Sequence, residues 1–118
     1  MTKPAAISAL FGLVLLVAAR AERPVGVAVC FVGYSTFLAR PVLNLHDLAV
    51  LPEARGGGVG AALLAAVAER ARALGCAKVT LEVREDNAAA RRLYARTGFV
   101  DSAPAGARTR TLFLERKL

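Results

Sequence analysis

The sequence is poor in the residues that build metal centres, cross-links and stacking surfaces. Its 118 residues hold no tryptophan, one histidine and two cysteines. Cys30 and Cys76 lie far apart and form no C-x-x-C pair, so neither a repeated zinc-ligand pattern nor a disulfide framework is present. Reduced, buried thiols and a cytoplasmic location are the expectation, with no metal. Aromatic residues are 6% and are not interleaved with a basic run, which leaves no stacking platform for single strands; no nucleic-acid partner is expected. The longest apolar stretch, Ala5 to Ala19 broken only by Ser8, falls short of the roughly 20 residues of a membrane span, and no membrane partner is expected. It follows Lys3 and precedes Ala19-Arg20-Ala21, so it reads either as the hydrophobic part of an export signal or as a buried strand, Leu10 to Ala19. The strand is the reading that agrees with the rest of the chain.

Acidic residues are scarce too, 9 against 16 lysines and arginines, and the formal net charge is +7. That balance suits an anionic partner such as a nucleotide phosphate, a nucleic acid or an acidic membrane, but it also describes a solvated basic surface. What the chain does have is apolar residues, 56% of the total, enough for one domain over residues 1–118 with a real core.

Arg20 to Pro24 reads as a hairpin turn into a second strand, Val25 to Val32, antiparallel to the first. A third strand runs from Leu43 to Val50 and stops at Pro52. Val59 to Leu74 is a helix with Leu63, Val67 and Leu74 on one face, ended by Gly75. Lys78 to Arg84 alternates as a strand, Val79, Leu81 and Val83 against Thr80, Glu82 and Arg84. Asn87 caps a short helix, Ala88 to Arg96, which Gly98 terminates. Phe99-Val100 and Thr109 to Glu115 are the last strands, around a loop at Ala103 to Ala107. The order β-β-β-α-β-α-β-β describes an α/β (α+β) domain, a mixed sheet flanked by helices.

Between the third strand and the first helix lies Arg55-Gly56-Gly57-Gly58-Val59-Gly60. A helix start leaves backbone N–H groups free, its dipole adds positive potential, and glycine lets an anion approach the main chain. Arg55 adds a forked cationic donor. The letters do not spell a P-loop, because Ala61-Ala62 stands where Lys-Ser/Thr is needed. Nor do they spell a dinucleotide fingerprint, because Leu63 stands where the third glycine is needed. A plain tight turn is the competing reading.

The pattern Arg-x-x-Gly-x-Gly, preceded by Val50-Leu51-Pro52-Glu53, resembles the cofactor motif of the GNAT family of acetyl-CoA-dependent N-acetyltransferases. A second motif follows in order: Leu81 to Asn87, then Leu93-Tyr94 and Gly98-Phe99. The resemblance covers about Val25 to Leu118. It implies a mostly antiparallel GNAT-like sheet and acetyl-CoA as co-substrate, with the pyrophosphate on Arg55, Gly56, Gly57, Gly58, Val59, Gly60 and Ala61. The pantetheine arm would pair with Leu48, Ala49, Val50 and Leu51, and Asn87 and Tyr94 would hold the cofactor beside the second helix. For Asn87 a plain N-cap is the alternative.

The resemblance also implies direct transfer of acetyl to a bound primary amine of a small molecule or peptide. A lysine amine has a pKa near ~10.4 and an α-amine one of ~7.7–8.0, so a base is useful at neutral pH. Tyr94 aligns with the family's acid, which would protonate the departing thiolate. Glu82 leads for the base, standing twelve residues before Tyr94 as in the ribosomal-protein N-terminal-alanine acetyltransferases that this stretch resembles. His46 and Asp47 are the alternatives; neighbours on a regular strand face opposite sides, so only one of them is expected in a given cleft. The family has a strand and one or two helices ahead of the strand placed at Leu10, so the chain reads as N-terminally truncated. Two consequences follow: the sheet edge would be left uncovered, which favours a homodimer, and a non-catalytic acetyl-CoA-binding module stands as the alternative function.

Overall fold

The computed structural model describes residues 3–8, 12–101 and 111–118. The strands are β1 (Lys3–Ser8), β2 (Leu13–Arg20), β3 (Arg23–Ser35), β4 (Arg40–Val50), β5 (Lys78–Arg84), β6 (Val100–Asp101) and β7 (Thr111–Lys117). The helices are α1 (Val59–Ala73) and α2 (Ala88–Arg96), and a 3-10 turn covers Pro52–Ala54. All the strands join one sheet in the order β1-β2-β3-β4-β5-β7-β6. Every neighbouring pair is antiparallel except β4 and β5.

The expected α+β order is present, with one strand added at its front. β1 pairs with β2 from Lys3↔Ala19 to Ser8↔Leu15, so a strand does precede Leu13 and forms the sheet edge. Its letters, Lys-Pro-Ala-Ala-Ile-Ser, favour a strand only weakly, and the exposed edge of β2 supplies the hydrogen bonds that local propensity does not. Leu10 and Phe11, the Ala103 to Ala107 loop, and Thr109 and Arg110 lie outside the described residues. The β2–β3 hairpin turns on Ala21 and Glu22, both left-handed at φ 48° and 66°, the two-residue geometry whose twist matches the strands.

On β2, Val14, Leu16 and Ala18 are buried in alternation, and on β5 Val79, Leu81 and Val83 continue the same inner surface. α1 lies across it with Val59, Leu63, Leu64, Val67, Ala68 and Ala71 buried at helical spacing. Each fully buried leucine or valine contributes about 1.5–3 kcal/mol, so this stripe is what holds α1 against the sheet. Gly75, at φ +76°, ends the helix, and the Cys76 amide donates to the Ala71 carbonyl at 2.9 Å. Arg40, from the start of β4, donates to the carbonyls of Gly75 and Cys76, both at 3.3 Å, and so ties the sheet to the helix end.

Cys30 and Cys76 are free and buried. Burial pushes the Cys30 thiol up to about 12; it also raises Cys76, against the opposing charge of Arg40. The reactive species is the thiolate, so an aromatic disulfide reagent at pH 8 should label neither thiol in the folded protein and both after denaturation. Stoichiometric labelling of the native chain would contradict this packing.

Candidate active site

β4 and β5 pair in parallel only at Leu43↔Val79, Asn44↔Thr80 and Leu45↔Leu81. Both strands continue past that point without pairing to each other, β4 to Val50 along β3 and β5 to Arg84 along β7, so the sheet opens as a V. Two clefts flank this opening.

The first, about 470 Å³, runs along the β4 limb to the start of α1 and is roofed by α2. Leu48, Ala49 and Val50 line it from the strand, and Arg55, Gly56, Gly58, Val59, Gly60 and Ala61 from the loop and first helical turn. Val59, Gly60 and Ala61 are the first residues of α1, whose amides have no carbonyl to pair with inside the helix. Gly56 and Gly58 sit at φ +80° and +84° with open space where a side chain would stand, so both positions need glycine for the backbone turn. Gly60 differs: a Cβ there would meet Leu93 Cδ2 at 3.0 Å, so its glycine brings α2 close to α1. Arg55 Nε donates to the Val50 carbonyl at 3.1 Å, which lays the guanidinium along the end of β4. Just ahead of it, Arg23 meets Glu53 at 3.1 Å and ties β3 to the 3-10 turn. Both partners are exposed, so this pair adds little to stability.

α2 contributes Ala89, Ala90, Leu93, Tyr94 and Arg96 to the same cleft. The charged residues lining it are Arg55 and Arg96, with no carboxylate among them, which matches a polyanionic ligand. Apart from the motif pair Leu93-Tyr94, the sequence does not single out these α2 positions. Helical spacing around Tyr94 carries the signal for Ala90, four residues before it on the same face. Ala54 is a further lining residue, buried under the turn. Three expected cofactor residues stand off this cleft. Leu51 lines an apolar groove next to it, with Pro52 and Val25. Gly57 packs against Arg20, and Asn87 spends its side-chain oxygen on the Ala90 amide at 3.2 Å as the N-cap of α2.

Tyr94 is half-buried, with its ring edge-on to Phe99 at 5.8 Å. Burial raises its pKa above the ordinary phenol value, so the hydroxyl keeps its proton through neutral and mildly alkaline pH. Phe99 N donates to the Tyr94 carbonyl at 3.0 Å and Thr97 Oγ1 to the Leu93 carbonyl at 2.8 Å, closing the end of α2.

The second cleft, about 370 Å³, lies in the fork of the V and is lined by Asn44, His46, Glu82, Arg84 and Thr111 among others. Asn44 Nδ2 donates to Thr80 Oγ1 at 3.0 Å and fastens the fork where pairing ends. Arg84 is held by Asp86, its Nη2 at 2.9 Å from Oδ2, which leaves Glu82 as the carboxylate of this cleft. His46 meets Phe31 edge-on at 5.5 Å.

The expectation that His46 and Asp47 face opposite sides is overturned. Val29 pairs with Asp47 and Cys30 with Leu45, so His46 is the extra residue of a β-bulge. Leu45 and Leu48 both turn to the core, three residues apart instead of two or four. The alternation slips by one, and exposed His46 and Asp47 share the face carrying Asn44 and Phe31. Among the described residues no group of three His, Cys, Asp or Glu could hold a metal ion.

A family model described as the acetyltransferase (GNAT) family matches residues 5–99. The chain belongs to this family. Thialysine N-epsilon-acetyltransferase of Bos taurus is 37% identical over 81 residues, 69% of this chain and 47% of the relative. The chain therefore spans about half the length of that curated relative. Among solved structures, nourseothricin acetyltransferase is 30% identical at a TM-score of 0.72, covering 90% of this chain and 65% of its own. The NatC complex bound to Gag peptide and CoA is 22% identical at a TM-score of 0.77, covering 88% and 70%; this likeness concerns the fold. The GNAT order of strands and helices is thus shared over most of the described chain.

Proposed function

We propose that this chain transfers an acetyl group from acetyl-CoA to a primary amine bound in the fork between β4 and β5. The observation that carries the reading is the pair of clefts lined by successive parts of β4 beside the V, with Tyr94 in one and Glu82 and His46 in the other. The first cleft fits the cofactor: a glycine cradle, free helix-start amides and two arginines face a polyanion, and the apolar β4 limb suits the pantetheine arm. Bound there, acetyl-CoA would supply the activated acetyl thioester. Tyr94, on that side, holds the proton that the sulfur needs on leaving. Glu82 takes the proton that an incoming ammonium must lose, directly or through one water, with His46 and Asp47 on the adjacent β4 limb as the other acceptors. The acid and the base thus stand in separate clefts, each beside the group it serves. Two buried free thiols agree with a reducing, cytoplasmic setting.

The test is thiol release from acetyl-CoA across a panel of amines that includes thialysine, lysine, polyamines and peptide N-termini. Amine-dependent release is expected; tight acetyl-CoA binding with no release on any amine would leave a non-catalytic binding module. With an accepted amine, Glu82→Gln should lower kcat/KM by about 100-fold at pH 7 and flatten its rise with pH. If His46→Asn or Asp47→Asn flattens the profile and Glu82→Gln does not, the base is on β4.

A further inference from the structure

The first cleft does not end at Arg96. A further cleft of about 410 Å³ shares Ala61 and Arg96 with it and continues past Ala65, Thr97 and Gly98 to Arg116. Ala61 and Ala65 stand one turn apart on one face of α1, so the extension follows that helix. Arg116 pairs in register with the buried Val79, which places it on the face of the sheet that carries α1. A Cβ on Gly98 would meet Arg116 Nε at 3.2 Å and Cδ at 3.3 Å, so the glycine that ends α2 also makes room for this side chain.

Among the described residues neither Arg96 nor Arg116 makes a hydrogen bond or an ion pair, and no carboxylate lines either cleft. Glu115, the neighbour of Arg116 on β7, is spent on Lys78 at 2.6 Å on the opposite face. Thr97 Oγ1 is held by the Leu93 and Tyr94 carbonyls, and the Thr97 and Gly98 amides donate to Tyr94 and Ala95. The two arginines are therefore the available side-chain donors of this cleft. Arg96 stands in the last turn of α2, where a cation offsets the helix dipole. That role needs neither a second guanidinium nor an opening between the two, whereas a phosphate dianion uses both. We propose that Arg96 and Arg116 form the subsite for the 3′-phosphate of CoA. The proposal rests on the acetyl-CoA reading of the first cleft. On that reading the pantetheine arm takes the β4 side and the pyrophosphate takes the helix-start amides, which leaves the nucleoside end to the cleft that begins at Ala61 and Arg96.

Titration calorimetry with CoA and with 3′-dephospho-CoA tests it without need of an acceptor. The native chain should prefer CoA. Arg96→Gln and Arg116→Gln should each weaken CoA binding about tenfold and leave 3′-dephospho-CoA within about twofold. Arg116→Lys should lose less, since the charge is kept and the fork is lost. With both arginines replaced by glutamine, the two ligands should bind within about threefold of each other. Arg96 is exposed, so Arg96→Gln carries the test even if Arg116→Gln does not fold. Equal native affinity for the two ligands overturns the proposal, as do variant losses that are the same on both, or unchanged CoA binding in the variants. A native chain that binds neither ligand sinks the acetyl-CoA reading, and this inference with it.

Discussion

Replacing Tyr94 by phenylalanine is expected to lower kcat for amine acetylation by about 100-fold or more while leaving the dissociation constant of acetyl-CoA within about twofold. The substitution keeps the ring that packs edge-on against Phe99 and the apolar wall of the first cleft. It removes only the hydroxyl, whose proton the proposed reaction uses when sulfur departs and not when the cofactor binds. The sign of the pH effect follows from burial, which raises the phenol pKa. The acid form then predominates at pH values below the ordinary phenol value of ~10, so Tyr94 places no alkaline midpoint in the rate profile under that pH. Rate measurements at saturating acetyl-CoA, paired with calorimetry, separate the two quantities. An unchanged kcat would assign Tyr94 to packing alone.

The second large effect is expected far from the chemistry. Gly26 lies on β3 beneath the start of α1, where a Cβ would stand 2.9 Å from Val59 Cγ1, 3.0 Å from Leu63 Cδ1 and 3.2 Å from the Ala49 carbonyl oxygen. Val59 and Leu63 are buried and the third neighbour is backbone, so the methyl of Gly26→Ala has little to push aside cheaply. Overpacking of this kind costs about 1–3 kcal/mol, a fall in Tm on the order of 10 °C for a chain of this size. The strain relaxes most easily by moving the first turn of α1, which carries the amides at the first cleft, so on the proposed reading CoA affinity should fall too. Adding Val59→Ala to Gly26→Ala should recover part of both losses, because it removes the nearest methyl. A thermal melt and a CoA titration that match the native chain would show that the helix start has slack.

Much of this fold could be read directly from the letters. β5 occupies Lys78–Arg84 and α2 occupies Ala88–Arg96, as their alternation and the Asn87 cap indicate, and α1 ends at Gly75 because a left-handed residue stops a helix. The turn at the glycine loop was legible for the same reason, since glycine φ and a helix start act over a few residues of chain. Strand ends were less legible, since β3 and β4 extend to Ser35 and Arg40 through a polar stretch that only their mutual pairing makes extended.

What the sequence determined by itself, then, was each element whose cause is local: helical and strand periodicity, caps, and the order of the two motifs. Only the tertiary structure decided where those elements put their side chains. The bulge at His46 arises from register against β3, and it turns two candidate bases to one face that simple alternation would separate. The fork exists because β4 and β5 stop pairing after Leu45, and β1 exists because β2 had a free edge. The two glycine contacts, Gly26 under α1 and Gly57 under Arg20, join residues more than thirty positions apart. Spacing along the chain encodes no such distance; it is set when the sheet and helix pack and each atom excludes its neighbours.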